Sequence, residues 1–337
     1  MVRVAVLGAS GYGARELLKL LARHPHAEVT TLTTRQETRP HVADEHPWLR
    51  GLYDLHLENV PLDEVARRAD CVFCCLPHAA SAEAVAPLLD AGCKVVDFSA
   101  DYRLTDAAVY QQWYQHEHPD PGRLGKAAYG LPELYRDRII GANLVANPGC
   151  YPTSALLALA PLLKTGLASP EGIIVDSKSG VSGGGRSPKP VFHFPECNES
   201  VLAYGVGSHR HTPEIDQVLS DFAGAPTNVV FTPHLIPMDR GIFTTAYATP
   251  AQDGVTTANA LATLREFYAG ERFIRVLDEI PATKNVVGGN CCDLTVRVVR
   301  GRLVVLSVID NLIKGASGAA VQNFNLIYGF EETTALR

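Results

Sequence analysis

The run Asn147-Pro148-Gly149-Cys150-Tyr151-Pro152-Thr153-Ser154 places a cysteine between a turn and an apolar segment, Ala155 to Leu163. Asn-Pro-Gly continues neither a helix nor a strand, so the chain bends there. Pro152 is tolerated in a first helical turn, and Thr153 and Ser154 are expected to satisfy free N–H groups at that end. Cys150 then sits at a helix N-terminus, where partial positive charge favours thiolate over thiol. That is the setting of a nucleophile. The plainer reading is a small apolar side chain filling a gap.

A cysteine nucleophile needs a base. His209-Arg210-His211-Thr212-Pro213-Glu214 offers two imidazoles and a carboxylate ahead of a helix. With Thr212 as N-cap and Pro213 as the first helical residue, His209 and His211 lie on the preceding loop. A Cys–His pair oriented by a carboxylate is a general form of activated nucleophile. His24, His26, His41, His46 and His56 have no comparable context and read as surface or structural residues. Two further loops suit an anion. Ser177 to Arg186 carries exposed N–H groups, hydroxyls and the Arg186 guanidinium, and Asp101-Tyr102-Arg103 supplies another guanidinium.

These residues need a scaffold. Val2 to Leu7 reads as a strand, followed by Gly8-Ala9-Ser10-Gly11-Tyr12-Gly13-Ala14, an amphipathic helix to about Arg23, and a second strand, Val29 to Thr33. Strand, glycine turn, helix, strand is the context of a dinucleotide fingerprint. Gly8 allows the tight turn, Gly11 lets the backbone approach a pyrophosphate, and Ala14 or Gly13 permits close helix–strand packing. The helix N-terminus receives the phosphates. After the second strand an NAD site carries an acidic residue, but this chain has Thr33-Thr34-Arg35. Arg35 and Thr34 suit a 2′-phosphate, so NADP(H) is the expected cofactor.

Further strands are predicted at Tyr53 to Leu57, Cys71 to Leu76, Lys94 to Phe98 and Asn143 to Ala146, six in all. Leu76-Pro77-His78 and Ser99-Ala100-Asp101 fall just past strand ends, where such sheets bind ligands. In the second half, Ile173 to Ser179, Val229 to Leu235, Ile242 to Ala248, Leu294 to Val299 and Leu303 to Ile309 read as strands, the last two a hairpin. Helices are expected at Thr212 to Phe222 and Thr257 to Tyr268, and Gly315 opens a last helix to about Tyr328. The fold class is α/β: a doubly wound Rossmann-type NADP-binding domain plus an α+β domain with a mainly antiparallel sheet. The first is expected over residues 1–149 with a C-terminal helix over 315–337, the second over 150–314 for catalysis, substrate binding and oligomerisation.

Composition fits a soluble enzyme, with 20 % charged and 46 % hydrophobic residues in 337. A net charge of −6 without a basic cluster argues against nucleic acid. No leader and no membrane-length apolar run is evident. The eight cysteines lack the spacing of a disulfide framework, which points to a reducing cytoplasm, and Cys71, Cys74 and Cys75 read as core rather than a metal site.

Six segments in register resemble the N-acetyl-γ-glutamyl-phosphate reductase family. They are Gly8-Ala-Ser-Gly-Tyr12, Leu76-Pro-His78, Ser99-Ala-Asp-Tyr-Arg103, Asn147-Pro-Gly-Cys-Tyr-Pro152, His209-Arg-His-Thr-Pro-Glu214 and Asp310-Asn-Leu-Ile-Lys-Gly315. One departure is Gly13-Ala14 where the family's turn commonly ends in glycine. The resemblance implies Cys150 as the acyl-accepting nucleophile and His209 as the general base, with Arg103, Arg186, His211 and Glu214 contacting substrate. It implies Gly8, Ser10, Gly11, Tyr12, Gly13, Thr34, Arg35, Leu76, Pro77, Ser179, Gly180 and Asn311 around NADP, and no metal. The implied partner is a small-molecule acyl phosphate; the hairpin Leu294 to Ile309 carries more β-branched residues than one covered face requires, so a homodimer or homotetramer through this sheet is expected, with neither nucleic acid nor membrane as partner. A reductase of a carrier-linked aminoadipyl phosphate, aspartate-semialdehyde dehydrogenase, a thiol hydrolase and a non-catalytic NADP(H) sensor stay open as alternatives.

Overall fold

The computed structural model describes residues 1–337 and divides them into two compact units, Met1–Pro148 with Ala316–Arg337, and Gly149–Gly315. The first unit carries a seven-stranded sheet: β1 (Val2–Leu7), β2 (Ala27–Thr33), β3 (Leu57–Glu58), β4 (Cys71–Cys74), β5 (Lys94–Asp97), β6 (Ala128–Tyr129) and β7 (Leu144–Ala146). The order is β3-β2-β1-β4-β5-β7-β6 with every pair parallel. Parallel strands are buried on both faces, which is why β4 and β1 from Val4 onward read as continuous apolar runs. Cys71 and Cys74 are 0 % exposed inside β4, as core residues should be.

Three details differ from the sequence expectation. The third strand is only Leu57–Glu58, paired with Leu32 and Thr33, while Tyr53 lies outside it and donates its hydroxyl to the Leu18 carbonyl at 2.7 Å. A short edge strand, β6, was not anticipated; two residues give no periodicity to read. The helix Ala80–Asp90 receives its cap from far along the chain. Asp101, fully buried, accepts from the N–H groups of Ala79 at 2.8 Å and Ala82 at 2.9 Å. The last helix begins at Gly318 rather than Gly315, after one π turn over Ile313–Ser317. Its Asn323 donates to the Gly130 carbonyl at 2.9 Å and to Asn147 Oδ1 at 3.1 Å.

The second unit is built on β8 (Ile173–Ser179), β9 (Leu202–Ala203), β10 (Val229–Leu235), β11 (Ile242–Ala248), β12 (Ile274–Val276), β13 (Cys292–Val299) and β14 (Arg302–Ile309). The order is β12-β13-β14-β11-β8-β10-β9, antiparallel except for the β8–β10 and β12–β13 pairs. Arg300 and Gly301 turn the β13–β14 hairpin with φ of 49° and 74°, the left-handed pair that matches strand twist. Helices Cys150–Lys164, Thr212–Ala223 and Thr257–Phe267 pack on one face of this sheet. The first of them is buried on every side from Tyr151 to Leu163, which accounts for its all-round apolar sequence.

The opposite face alternates out of the core. Val304 stands beside Tyr247, Tyr247 beside Ile174, and Ile174 beside Val230 across four neighbouring strands. Ile174, Val230 and Tyr247 are 43 %, 62 % and 39 % exposed.

Candidate active site

Cys150 is the first residue of its helix, with Gly149 as N-cap. Thr153 and Ser154 do not cap this end, contrary to expectation. Thr153 Oγ1 donates back to the Gly149 carbonyl at 2.9 Å, and Ser154 is buried on Thr244 and Ser307, at 2.9 and 3.0 Å. The start of the helix is held instead by Glu214, 1 % exposed, whose Oε1 accepts from the Gly149 N–H at 2.9 Å. Gly315 closes against the nucleophile from the other end of the unit. A Cβ there would lie 2.8 Å from Cys150 Cβ and 3.2 Å from its Cα. Only a glycine fits.

The His209 loop joins this helix through aromatic rings. His209 packs edge-on against Tyr151 at 5.6 Å, Tyr204 at 5.4 Å, Phe231 at 5.3 Å and His211 at 4.9 Å. Tyr204 donates to Tyr151 Oη at 3.0 Å, and Tyr151 to the His234 carbonyl at 3.2 Å. The backbone N–H of His211 donates to His209 Nδ1 at 3.2 Å. An acceptor nitrogen carries no proton, so the neutral His209 ring holds its proton on Nε2. Burial, and secondarily the charge of Arg210, lowers the His209 pKa to about 4. His209 is therefore neutral at pH 7. Burial pushes Tyr204 up to about 12 and Tyr151 up as well. Thr212 is the first helical residue and His211 the N-cap position, one residue earlier than expected.

Ser179, Gly180 and Asn311 belong to the same unit. Asn311 is 2 % exposed; its Oδ1 accepts from Gly241 N–H at 2.7 Å and its Nδ2 donates to Ser182 Oγ at 3.0 Å. Gly180 admits no side chain, since a Cβ would meet the Asp239 carbonyl oxygen at 2.4 Å. Ser179 Oγ donates to the Gly180 carbonyl at 2.9 Å. These residues shape one tightly tied loop pair. Arg186 lies beyond it on an exposed stretch.

In the first unit, Gly8 adopts φ +74°, and a Cβ would strike the Cys75 carbonyl oxygen at 2.5 Å and Leu76 Cδ2 at 3.2 Å. Leu76, with Pro77 next to it, is thus brought beside the turn. At Gly11 a Cβ would meet only the Gly8 carbonyl oxygen, at 3.9 Å, so the backbone there is open to a ligand. Gly11 precedes the helix Tyr12–Leu21 without a side-chain cap, which leaves this end suited to a pyrophosphate. The residues present fit a dinucleotide. Gly13 has ordinary clearance, 3.7 Å to Phe98, while Ala14 is the fully buried small residue.

At the ribose end, Thr34 is 9 % exposed and its Oγ1 accepts from Gln36 N–H at 3.3 Å. Arg35 is exposed and makes no ion pair. One carboxylate escaped the sequence reading: Glu58, opposite Thr33 in the sheet. It is neutralised by Arg39 and by Arg68, whose Nη1 lies 2.7 Å away. Arg103 is 6 % exposed and donates Nε to the Asn147 carbonyl and Nη2 to the Phe98 carbonyl, both at 2.7 Å. It braces the segment that leads to Cys150. No cluster of three metal-ligating side chains is present. No helix is long and apolar enough to cross a membrane.

Comparison with known proteins matches residues 3–142 to the semialdehyde dehydrogenase NAD-binding domain and residues 150–311 to the semialdehyde dehydrogenase dimerisation domain. The chain is 53 % identical to an N-acetyl-γ-glutamyl-phosphate reductase from Geotalea daltonii, covering 100 % of this chain and 98 % of that one. It is 49 % identical to one from Rhodopirellula baltica, covering 99 % and 98 %. Solved structures of aspartate semialdehyde dehydrogenase share the fold. The Vibrio cholerae enzyme II gives a TM-score of 0.74 at 16 % identity over 98 % of each chain. The Candida albicans enzyme with NADP gives 0.73 at 15 % identity, over 97 % of this chain and 98 % of that one. With a cysteine at a capped helix start, an adjoining histidine loop and a glycine turn open to a nicotinamide dinucleotide, the chain belongs to the N-acetyl-γ-glutamyl-phosphate reductase family of semialdehyde dehydrogenases.

Proposed function

We propose that the protein reduces N-acetyl-γ-glutamyl phosphate to N-acetylglutamate 5-semialdehyde and inorganic phosphate, using NADPH, in arginine biosynthesis. The observation that carries this reading is Cys150 at a helix start whose backbone is held by Glu214 and whose flank is kept clear by Gly315. The Cys150 thiolate attacks the γ-carbonyl carbon, the carbon–oxygen bond to phosphate breaks, and phosphate leaves with the electron pair. The chain then holds a thioester at Cys150. When bound, the reduced nicotinamide supplies the hydride that brings this acyl group to the aldehyde level. Backbone N–H groups of the first helical turn stabilise the oxyanion, and the carbon–sulfur bond breaks to return the thiolate.

His209 handles the protons. Its resting tautomer is a donor through Nε2. To accept the thiol proton at Nε2 the ring must pass to the Nδ1–H tautomer and release the His211 N–H. His211, Arg186, Arg103 and Glu214 are the candidates for substrate contact, with Arg103 and Glu214 reaching it through the backbone they hold. Ser179, Gly180 and Asn311 are further candidates for cofactor contact. Arg35 and Thr34 read the 2′-phosphate, since Glu58 is already neutralised. The exposed row Tyr247–Ile174–Val230, flanked by half-buried Val304, meets the same row of a second copy, in agreement with the dimerisation domain matched over this unit. Eight cysteines without a disulfide suit the cytoplasm.

The test is run in the oxidative direction with NADP and phosphate, comparing N-acetylglutamate, aspartate and aminoadipate semialdehydes by nicotinamide absorbance. A phosphate-dependent preference for the first is the expected result. Preference for another aldehyde, or no phosphate dependence, overturns the assignment.

A further inference from the structure

His46, whose sequence context suits a surface or structural residue, is 3 % exposed, and its Nε2 lies 2.7 Å from the carbonyl oxygen of Ala9. A carbonyl only accepts, so Nε2 carries the proton and donates it. Ala9 is the second residue of the glycine turn. Its carbonyl and the Ser10 N–H share one planar, trans peptide, as no cis bond occurs in the chain. Holding the Ala9 oxygen therefore fixes the direction of the Ser10 N–H, which points the opposite way from His46. The two preceding peptides are held separately: Ala9 N–H donates to the Thr33 carbonyl at 2.9 Å, and Gly8 N–H to Thr33 Oγ1 at 3.3 Å. Thr33 and His46 thus clamp three successive peptide planes just ahead of Gly11, where the backbone is open.

The segment that delivers His46 is anchored independently of it. Tyr53 donates to the Leu18 carbonyl at 2.7 Å, Lys19 Nζ sits 4.6 Å over the Trp48 ring, and His41 bridges to His56 in antiparallel fashion. The strap over 41–56 lies across the first helix as well as the turn.

We propose that His46 is a positioning residue for the dinucleotide: its N–H orients the Ala9–Ser10 peptide so that the turn meets the pyrophosphate preorganised. It acts through the backbone and does not touch the reacting atoms. Loss of the bond leaves the turn free to reorient, and binding then includes the cost of ordering it.

The experiment compares His46→Gln, whose amide keeps a donor, with His46→Leu, which keeps volume but not the donor. NADPH is titrated into each purified protein by nicotinamide fluorescence, with NADH in parallel. One neutral hydrogen bond predicts about a three- to tenfold weaker Kd for His46→Leu toward both cofactors, and near-normal binding for His46→Gln. KM for cofactor rises in parallel, while kcat at saturating cofactor stays within about twofold, because the bond orders the turn before binding. Equal binding by His46→Leu and wild type overturns the proposal, and so does equal weakening by both variants. If His46→Leu does not fold, the wild-type His46 Nε2–H resonance decides: it must move when NADPH saturates the protein, and an unmoved signal overturns the proposal. NADPH and NADH both failing to bind wild type would instead refute the cofactor reading.

Discussion

The backbone N–H of His211 donates to Nδ1 of His209 at 3.2 Å, and the two rings also meet edge-on at 4.9 Å, so two histidines of one loop are coupled through main chain and rings together. With its pKa lowered to about 4 by burial, His209 stays uncharged through neutrality. Its acid limb in kcat/KM is expected near pH 4, not near the ordinary imidazole value of about 6.5. The stability sign follows. Between pH 6.5 and 4 the unfolded chain takes up a proton that the fold does not, so this site's contribution falls as pH falls, and His209→Asn removes that slope. An acid limb at the ordinary value that disappears in His209→Asn would show the ring to be solvated.

Substitution separates the two rings by role. His209→Asn should slow turnover by about 10²- to 10⁴-fold and reduce iodoacetamide labelling of Cys150 near neutral pH, as loss of a base does. His211→Asn should act mainly on KM. If only His211→Asn moves the labelling profile upward in pH, the roles are exchanged.

Cys150→Ala is expected to abolish turnover while NADP(H) binding persists, because the thiol lies outside the glycine turn. Cys150→Ser should be almost as inactive, since a hydroxyl does not ionise at a helix start. Substantial activity in either purified variant excludes the thioester.

Gly315→Ala forces a methyl group to within 2.8 Å of Cys150 Cβ. Neither partner has a flexible end that can swing away, so backbone must shift at a cost of about 1–3 kcal/mol. A lower kcat with a lower melting temperature is expected, against Gly122→Ala as control, where a Cβ meets nothing within 4 Å. Indistinguishable kinetics would mean that the helix start tolerates displacement.

Arg35→Ala should weaken NADP(H) far more than NAD(H). A charged hydrogen bond of about 1.5–3 kcal/mol corresponds to roughly 10- to 150-fold. Parallel titrations that fall equally for both cofactors would remove Arg35 from the 2′-phosphate.

The sheet face predicts a dimer in sedimentation at micromolar concentration. Tyr247→Lys or Ile174→Lys places a charge in the middle of the exposed row and should shift the protein to monomer without unfolding it. A wild-type monomer contradicts the interface, and so does an unchanged dimer in both variants.

Local order was legible where a segment carries its own pattern. The run Val2 to Leu7, the strand Ile173–Ser179 and the hairpin turned by Arg300-Gly301 appear where apolar periodicity and turn residues put them. Cys150 at a helix start followed likewise from Asn-Pro-Gly and the apolar run behind it. These features depend on neighbours within a few residues, whose backbone preferences act without the rest of the chain. Tertiary structure alone decided what lies against them. His46 reaches Ala9 across 37 positions, Glu214 reaches Gly149 across 65, and Gly315 abuts Cys150 from the end of its unit. Asp101, placed by sequence beside a ligand, is spent on capping a helix. Close packing sets such contacts: which side chain meets which backbone group depends on how the sheets and helices stack, and no local preference encodes that.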